Sequence, residues 1–223
     1  MKQTSTPNKL EWLAPAALIL LALVPSGSGV VRLLEQSSST PTITPENQRF
    51  FADPLPIIAH SLSGILFLIL GALQFAPKLR RPKPGWHKIL GRILIPSGLV
   101  VAFSAMWMAH FYNLPKYDGA LVYGIRMLFG AWMVLTIVLG TAAIYRRDFN
   151  NHGVWMTRAY AVGAGGSTQV FTAAPLFLFF TEYLNDLTRA ISLGAGWVIN
   201  FAIAEWVIRR RLQARQKATT ARV

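Results

Sequence analysis

Cysteine is absent from this 223-residue chain. Its absence excludes disulfides, thiolate metal sites, iron–sulfur clusters and covalently attached haem. Acidic residues are scarce as well: nine Asp and Glu stand against 22 Lys and Arg, giving a formal charge of +13 although only 14% of residues are charged. In a soluble domain that imbalance would suggest nucleic acid. Here the basic residues fall in short clusters between apolar runs, the distribution of topology signals and lipid-headgroup contacts, so no nucleic-acid partner is expected. Hydrolase signatures are missing too, with no Ser-His-Asp arrangement, no Gly-rich phosphate loop and no His-Glu-x-x-His.

What the chain has in quantity is apolar sequence, 53% of its residues, in runs that reach the roughly 20 residues a spanning helix needs. The predicted fold is an all-α integral membrane protein, one bundle of six transmembrane helices over residues 10–208, with spans near 10–31, 55–77, 89–110, 119–145, 154–181 and 187–208. Residues 1–9 form a cytoplasmic N-terminus, 32–54 a solvated Ser/Thr/Pro-rich loop and 209–223 a basic cytoplasmic tail. The first run is broken by Pro25, Ser26, Gly27, Ser28 and Gly29; a cleaved signal peptide is the alternative to a first span. Lys78, Arg80, Arg81 and Lys83, then Arg146 and Arg147, then Arg209 to Arg211, Arg215, Lys217 and Arg222 all fall on one side of six spans. That side is cytoplasmic by the positive-inside rule, placing both termini inside a bacterial inner membrane and the basic tail against anionic headgroups. Trp12, Trp86, Trp155 and Trp206 sit at inner helix ends and Trp107 near an outer one, as an interfacial belt requires. There is no internal repeat and no second domain.

Polar residues inside spans are costly, so they face the bundle interior and find partners. Gln74, His87, Arg92, His152, Arg158 and Glu205 lie near the inner face; His60, His110 and Arg126 lie near the outer one, with Gln169 and Asn200 closer to the middle. All four histidines thus fall in two layers, His60 with His110 and His87 with His152, each pair from two helices. Such pairs are what bis-imidazole ligation of haem b requires, and Arg92 and Arg158 could meet propionates. The plainer expectations are an Arg158–Glu205 ion pair locking the last two helices, Asp118 as the nearest acid to Arg126, and snorkelling histidines at the interface.

Trp86-His87-Lys88-Ile89-Leu90-Gly91-Arg92 and Asn151-His152-Gly153-Val154-Trp155-Met156-Thr157-Arg158-Ala159-Tyr160 resemble an uncharacterised family of bacterial multi-pass membrane proteins, the domain-of-unknown-function 2306 family. The resemblance covers roughly residues 55–208 and picks out His60, His87, Gly91, Arg92, His152, Trp155, Met156 and Arg158. The chain departs from the family pattern at Lys88 and Gly153, where Arg is usual, and His110 is not part of the motif. The resemblance implies the fold and no established activity. A looser similarity is to diheme cytochromes of the b561 type, matched only in part because the fourth span carries Arg126 and no histidine.

Three functional readings follow. The first is a b-type haem-binding or quinone-interacting electron-transfer protein, using His60, His87, Arg92, His110, Arg126, His152 and Arg158; if enzymatic, it would be a membrane oxidoreductase. The second is a small metal, proton or anion binder or transporter, with zinc, copper or iron held by His87, His152 and Glu205 as its metal form. The third is a scaffold whose polar residues are interhelical glue.

Overall fold

A computed structural model of the chain describes residues 12–76 and 84–220, and within these the chain is all-helical. In order come α1 (Leu13–Ser37), α2 (Gln48–Ala52), α3 (Pro54–Gln74), α4 (Pro84–Phe111), α5 (Ala120–Tyr145), α6 (Phe149–Phe179) and α7 (Asp186–Thr220), with a 3-10 turn at Thr181–Tyr183. Five helices, α1, α3, α4, α5 and α7, are long and apolar enough to cross a membrane. Large apolar side chains such as Leu62, Phe103, Leu128, Leu135 and Ile203 stand exposed on these helices, the faces that lipid would cover.

The sixth expected span, α6, has the length but falls short in apolarity, being rich in Gly, Ala, Ser, Thr and Asn. Its position explains why. α6 packs against α1, α3, α4, α5 and α7, so other helices cover its flanks. Small residues let them close in: Ala159, Ala161, Ala164 and Ser167 are buried. The main core cluster joins Phe67, Leu94, Met133 and Ile137 to Ala159, Tyr160 and Val162 of α6. Tyr160 donates its hydroxyl to the Leu68 carbonyl at 2.9 Å, satisfying its polar end inside that core.

Three expectations change. The Pro25–Gly29 stretch does not end α1, which runs on to Ser37, into residues read as loop. A helix interior tolerates Pro and Gly where neighbouring helices support it, and a Cβ on Gly29 would come to 3.4 Å from Ile65 of α3, so the small residues bring α1 onto α3. Residues 48–52 of the same loop form α2. At the other end, the stretch read as a basic tail continues α7 to Thr220, exposed throughout from Arg209. Lys2, Lys9, Lys78, Arg80, Arg81, Lys83 and Arg222 lie outside the described residues.

The α5–α6 connection is only three residues long and is closed by local bonds. Arg147 adopts the left-handed region (φ 57) while the amides of Arg147 and Asp148 return to the carbonyls of Ile144 and Ala143 at 2.9 Å each. This is a Schellman-type helix end. Asp148 then caps α6, accepting from the Asn151 backbone amide at 3.0 Å and the Asn151 side chain at 2.6 Å.

Candidate functional site

At the helix ends away from the basic clusters, α2 to α7 line an open cavity of about 450 Å³, within the size range of small-ligand sites. Its rim is charged. Asp118, with a fully buried side chain, accepts from Arg126 at 2.6 Å and from Arg189 at 2.9 Å, one guanidinium on each of its oxygens. Asp118 therefore ties α5 to α7. It is set in place by the α4–α5 loop, where Tyr117 takes a left-handed conformation (φ 70) and the Asp118 amide bonds back to the Pro115 carbonyl at 3.0 Å. A non-glycine residue at positive φ is held there only when its surroundings demand it.

Arg49 of α2 also lines the cavity and donates to the Asn113 carbonyl at 3.2 Å. Its guanidinium lies 4.7 Å from the Phe50 ring centroid, with that of Arg32 at 4.8 Å from the same ring. Burial pulls the Arg49 guanidinium below its ordinary range; Asp118 opposes that shift, and the like charges of Arg126 and Arg32 add to it. The rim thus carries Arg49, Arg126 and Arg189 against the single carboxylate of Asp118, which pairs with the last two, an excess of positive charge.

Below the rim the walls turn apolar. Arg126 lies about 9 Å along α5 from its first residue and Met133 about 20 Å, at 1.5 Å per residue. Met133, Phe129, Ala102, Val162 and Trp197 line this deeper part. Trp197 is fixed by its indole N–H, which donates to the Val162 carbonyl at 3.1 Å, and by stacking on Phe129 with ring centroids 4.7 Å apart. Two polar side chains interrupt the walls, His60 and Gln169. Nδ1 of His60 donates to the Val101 carbonyl at 3.2 Å and lies 3.0 Å from Ser104 Oγ. That anchoring leaves Nε2 as the ring nitrogen for a ligand.

The structure separates residues that the sequence groups by depth. His110, the expected counterpart of His60, is exposed, with Nδ1 3.0 Å from the Tyr123 hydroxyl, and is not among the cavity's lining residues. In the inner layer, Arg158 and Glu205 form the expected pair, and it is bidentate, 2.5 Å from Nε and 3.0 Å from Nη2. The Trp155 ring lies under the same guanidinium, with its centroid at 4.7 Å. His152 turns toward α5, donating Nδ1–H to the Gly140 carbonyl at 2.9 Å. The backbone carbonyl of His87 accepts from Gln74 of α3 at 3.4 Å. Arg92 is exposed and makes no ion pair among the described residues.

The proposed metal set of His87, His152 and Glu205 is not gathered. Glu205 is held by Arg158, and among the described residues no three His, Asp or Glu side chains stand close enough to hold a metal. Arg49 and Arg189 were missed as site residues, because each lies beside a loop and reads as a solvated charge. The Phe50–Phe51 pair next to Arg49 was the available signal, since aromatic residues in a polar loop need cover.

Apolar helices around a polar-rich central helix define an all-helical membrane protein with a charged-rimmed open cavity. The family model described as "Predicted membrane protein (DUF2306)" matches residues 57–208, well over half of the chain, and the chain belongs to that family. No curated protein and no solved structure matches it.

Proposed function

We propose that this chain binds a small anion in the cavity between α3 and α7. One observation carries the reading: Arg49, Arg126 and Arg189 line a single cavity, and the one carboxylate among them, Asp118, is already shared by Arg126 and Arg189. Guanidinium groups in a partly desolvated site favour carboxylate or phosphate oxygens, which accept two parallel bonds from one fork. The reading places the chain in a bacterial inner membrane with both termini cytoplasmic. The basic clusters, including the exposed α7 extension with Arg209, Arg210, Arg211 and Arg215, then face anionic cytoplasmic headgroups. The cavity opens on the opposite, outer side.

The test is calorimetric titration of the purified full chain with inorganic phosphate and with acetate, beside Arg126→Gln. Binding that weakens at least about tenfold in the variant, the equivalent of 1.4 kcal/mol, supports the reading. Equal titrations of the two proteins with every anion tried would overturn it.

A second reading, favoured by the anchored ring of His60, is a quinone-interacting redox protein. His60 Nε2 could accept from a quinol hydroxyl while Arg126 faces the far oxygen. Haem b held by two imidazoles has less support at this cavity, since of the four histidines only His60 is among its lining residues. Quenching of Trp197 fluorescence by a short-chain naphthoquinone, lost in His60→Phe, would favour the quinone reading; quenching indifferent to His60 would remove it.

A further inference from the structure

We infer that the ligand is an amphiphile, an anionic oxygen head on a single apolar chain, with the head among the rim arginines and the chain running inward along α5 and α6. This rests on the anion reading above and goes further, because a bare anion would use only the rim.

The cavity is polarised end to end. Arg49, Asp118, Arg126 and Arg189 stand at one end, whereas the stretch from Arg126 to Met133 extends about 10 Å inward at 1.5 Å per residue and is walled by Ala102, Phe129, Val162 and Trp197. An apolar shaft of that kind gives water few partners and suits hydrocarbon.

Glycine geometry on α6 shows which side has been kept open. A Cβ on Gly163 would come to 2.7 Å from Phe67, and one on Gly165 would run into the Trp197 indole, so both are needed for packing. Gly166, which lines the cavity, would meet nothing within 4 Å. The free space beside Gly166 is the shaft itself. His60 and Gln169 lie along the wall, and the Gln169 amide is already turned away, donating to the Leu193 carbonyl at 3.0 Å. The chain therefore meets a largely apolar surface below the head.

A fatty-acid carboxylate and a lipid-derived phosphate share this chemistry. Two homologous series separate them: acetate to decanoate, and inorganic phosphate to decyl phosphate. Each is titrated into the full chain in nanodiscs of phosphatidylcholine, with Trp fluorescence as the readout. Affinity in free aqueous ligand is expected to rise about fourfold per methylene, the equivalent of about 0.8 kcal/mol each, until the shaft is filled. At equal chain length, the series that binds more tightly identifies the head.

Gly166→Leu is expected to abolish the chain-length gain; Gly166→Ala, which adds one carbon, is expected to shorten the series. Phosphate binding that depends on Arg126, combined with no chain-length dependence in either series, would overturn this inference and leave the anion reading standing. If no member of either series responds to Arg126→Gln, the anion reading itself fails.

Discussion

Replacing Asp118 by asparagine removes the one negative charge that holds Arg126 and Arg189 together. The Asp118 side chain is fully buried, and the two guanidinium side chains are 27% and 17% exposed. Each charge-assisted bond contributes about 1.5–3 kcal/mol, and removing one partner from a buried pair typically costs about 3–5 kcal/mol. Water in the cavity can solvate the released guanidiniums and asparagine keeps one acceptor oxygen, so a loss of about 2–4 kcal/mol is expected. The site chemistry adds a condition. With Asp118 neutral, the rim presents its arginines uncompensated, and a bound anion should take the place of the missing carboxylate. By mass action an anion at a hundred times its Kd returns about 2.7 kcal/mol. The assay is reversible denaturant or SDS unfolding followed by Trp fluorescence, with and without phosphate, for the wild type, Asp118→Asn and Asp118→Asn/Arg126→Gln. Phosphate should restore the single variant more than the wild type and should not restore the double variant. A loss below about 1 kcal/mol, or equal phosphate effects in all three proteins, would refute the argument that Asp118 occupies an anion site.

Other outcomes follow from the rest of the bundle. Arg158→Ala and Glu205→Ala should each destabilise by about 1–3 kcal/mol, discounted for side chains 21% and 23% exposed, and the double variant should lose less than the sum of the two. The Asn151 backbone amide first, and its side chain second, hold the Asp148 carboxyl below the ordinary carboxylate range. Its contribution to stability is therefore fully present above the unfolded value, about 3.9, and is lost as pH falls through the lower folded value. The stability difference between wild type and Asp148→Ala should be constant near neutrality and vanish in strong acid, as read by unfolding across pH. Gly165→Ala should cost about 1–3 kcal/mol by pushing Trp197 aside, whereas Gly166→Ala should stay within about 0.5 kcal/mol of wild type; thermal unfolding of the pair reads the difference.

How far the chain could be read in advance depends on the range of the interactions. The helices α3, α4 and α5 follow from apolar length alone, a property of each segment. Two ion pairs were also within reach: nine acids leave few partners, so Glu205 for Arg158 and Asp118 for Arg126 follow from depth and scarcity. The site was legible only in part. Depth along a helix says which residues share a layer, but azimuth decides which share a space, and depth carries no information on azimuth. His60 and His110 share a layer, yet His60 turns inward to Val101 while His110 faces outward beside Tyr123. Arg189 could not be tied to Asp118, 71 positions away, without knowing that α5 and α7 are neighbours.

A helix whose flanks meet other helices need not be apolar enough for lipid, and its polar residues become cheap wherever a partner helix supplies a bond. Thr157 returns its hydroxyl to Gly153, Tyr160 bonds α3, Arg158 bonds α7, and Gln169 bonds α7 again. At Gly166 the pattern changes, because a Cβ there would meet nothing within 4 Å and the space beside it belongs to the cavity. The same substitution of small for large residues that lets α6 sit at the centre of the bundle therefore opens space on the side where the arginines converge. Packing and site are two consequences of one sequence feature. A larger residue at Gly166 separates them, since its Cβ meets no atom within 4 Å and enters the space of the cavity.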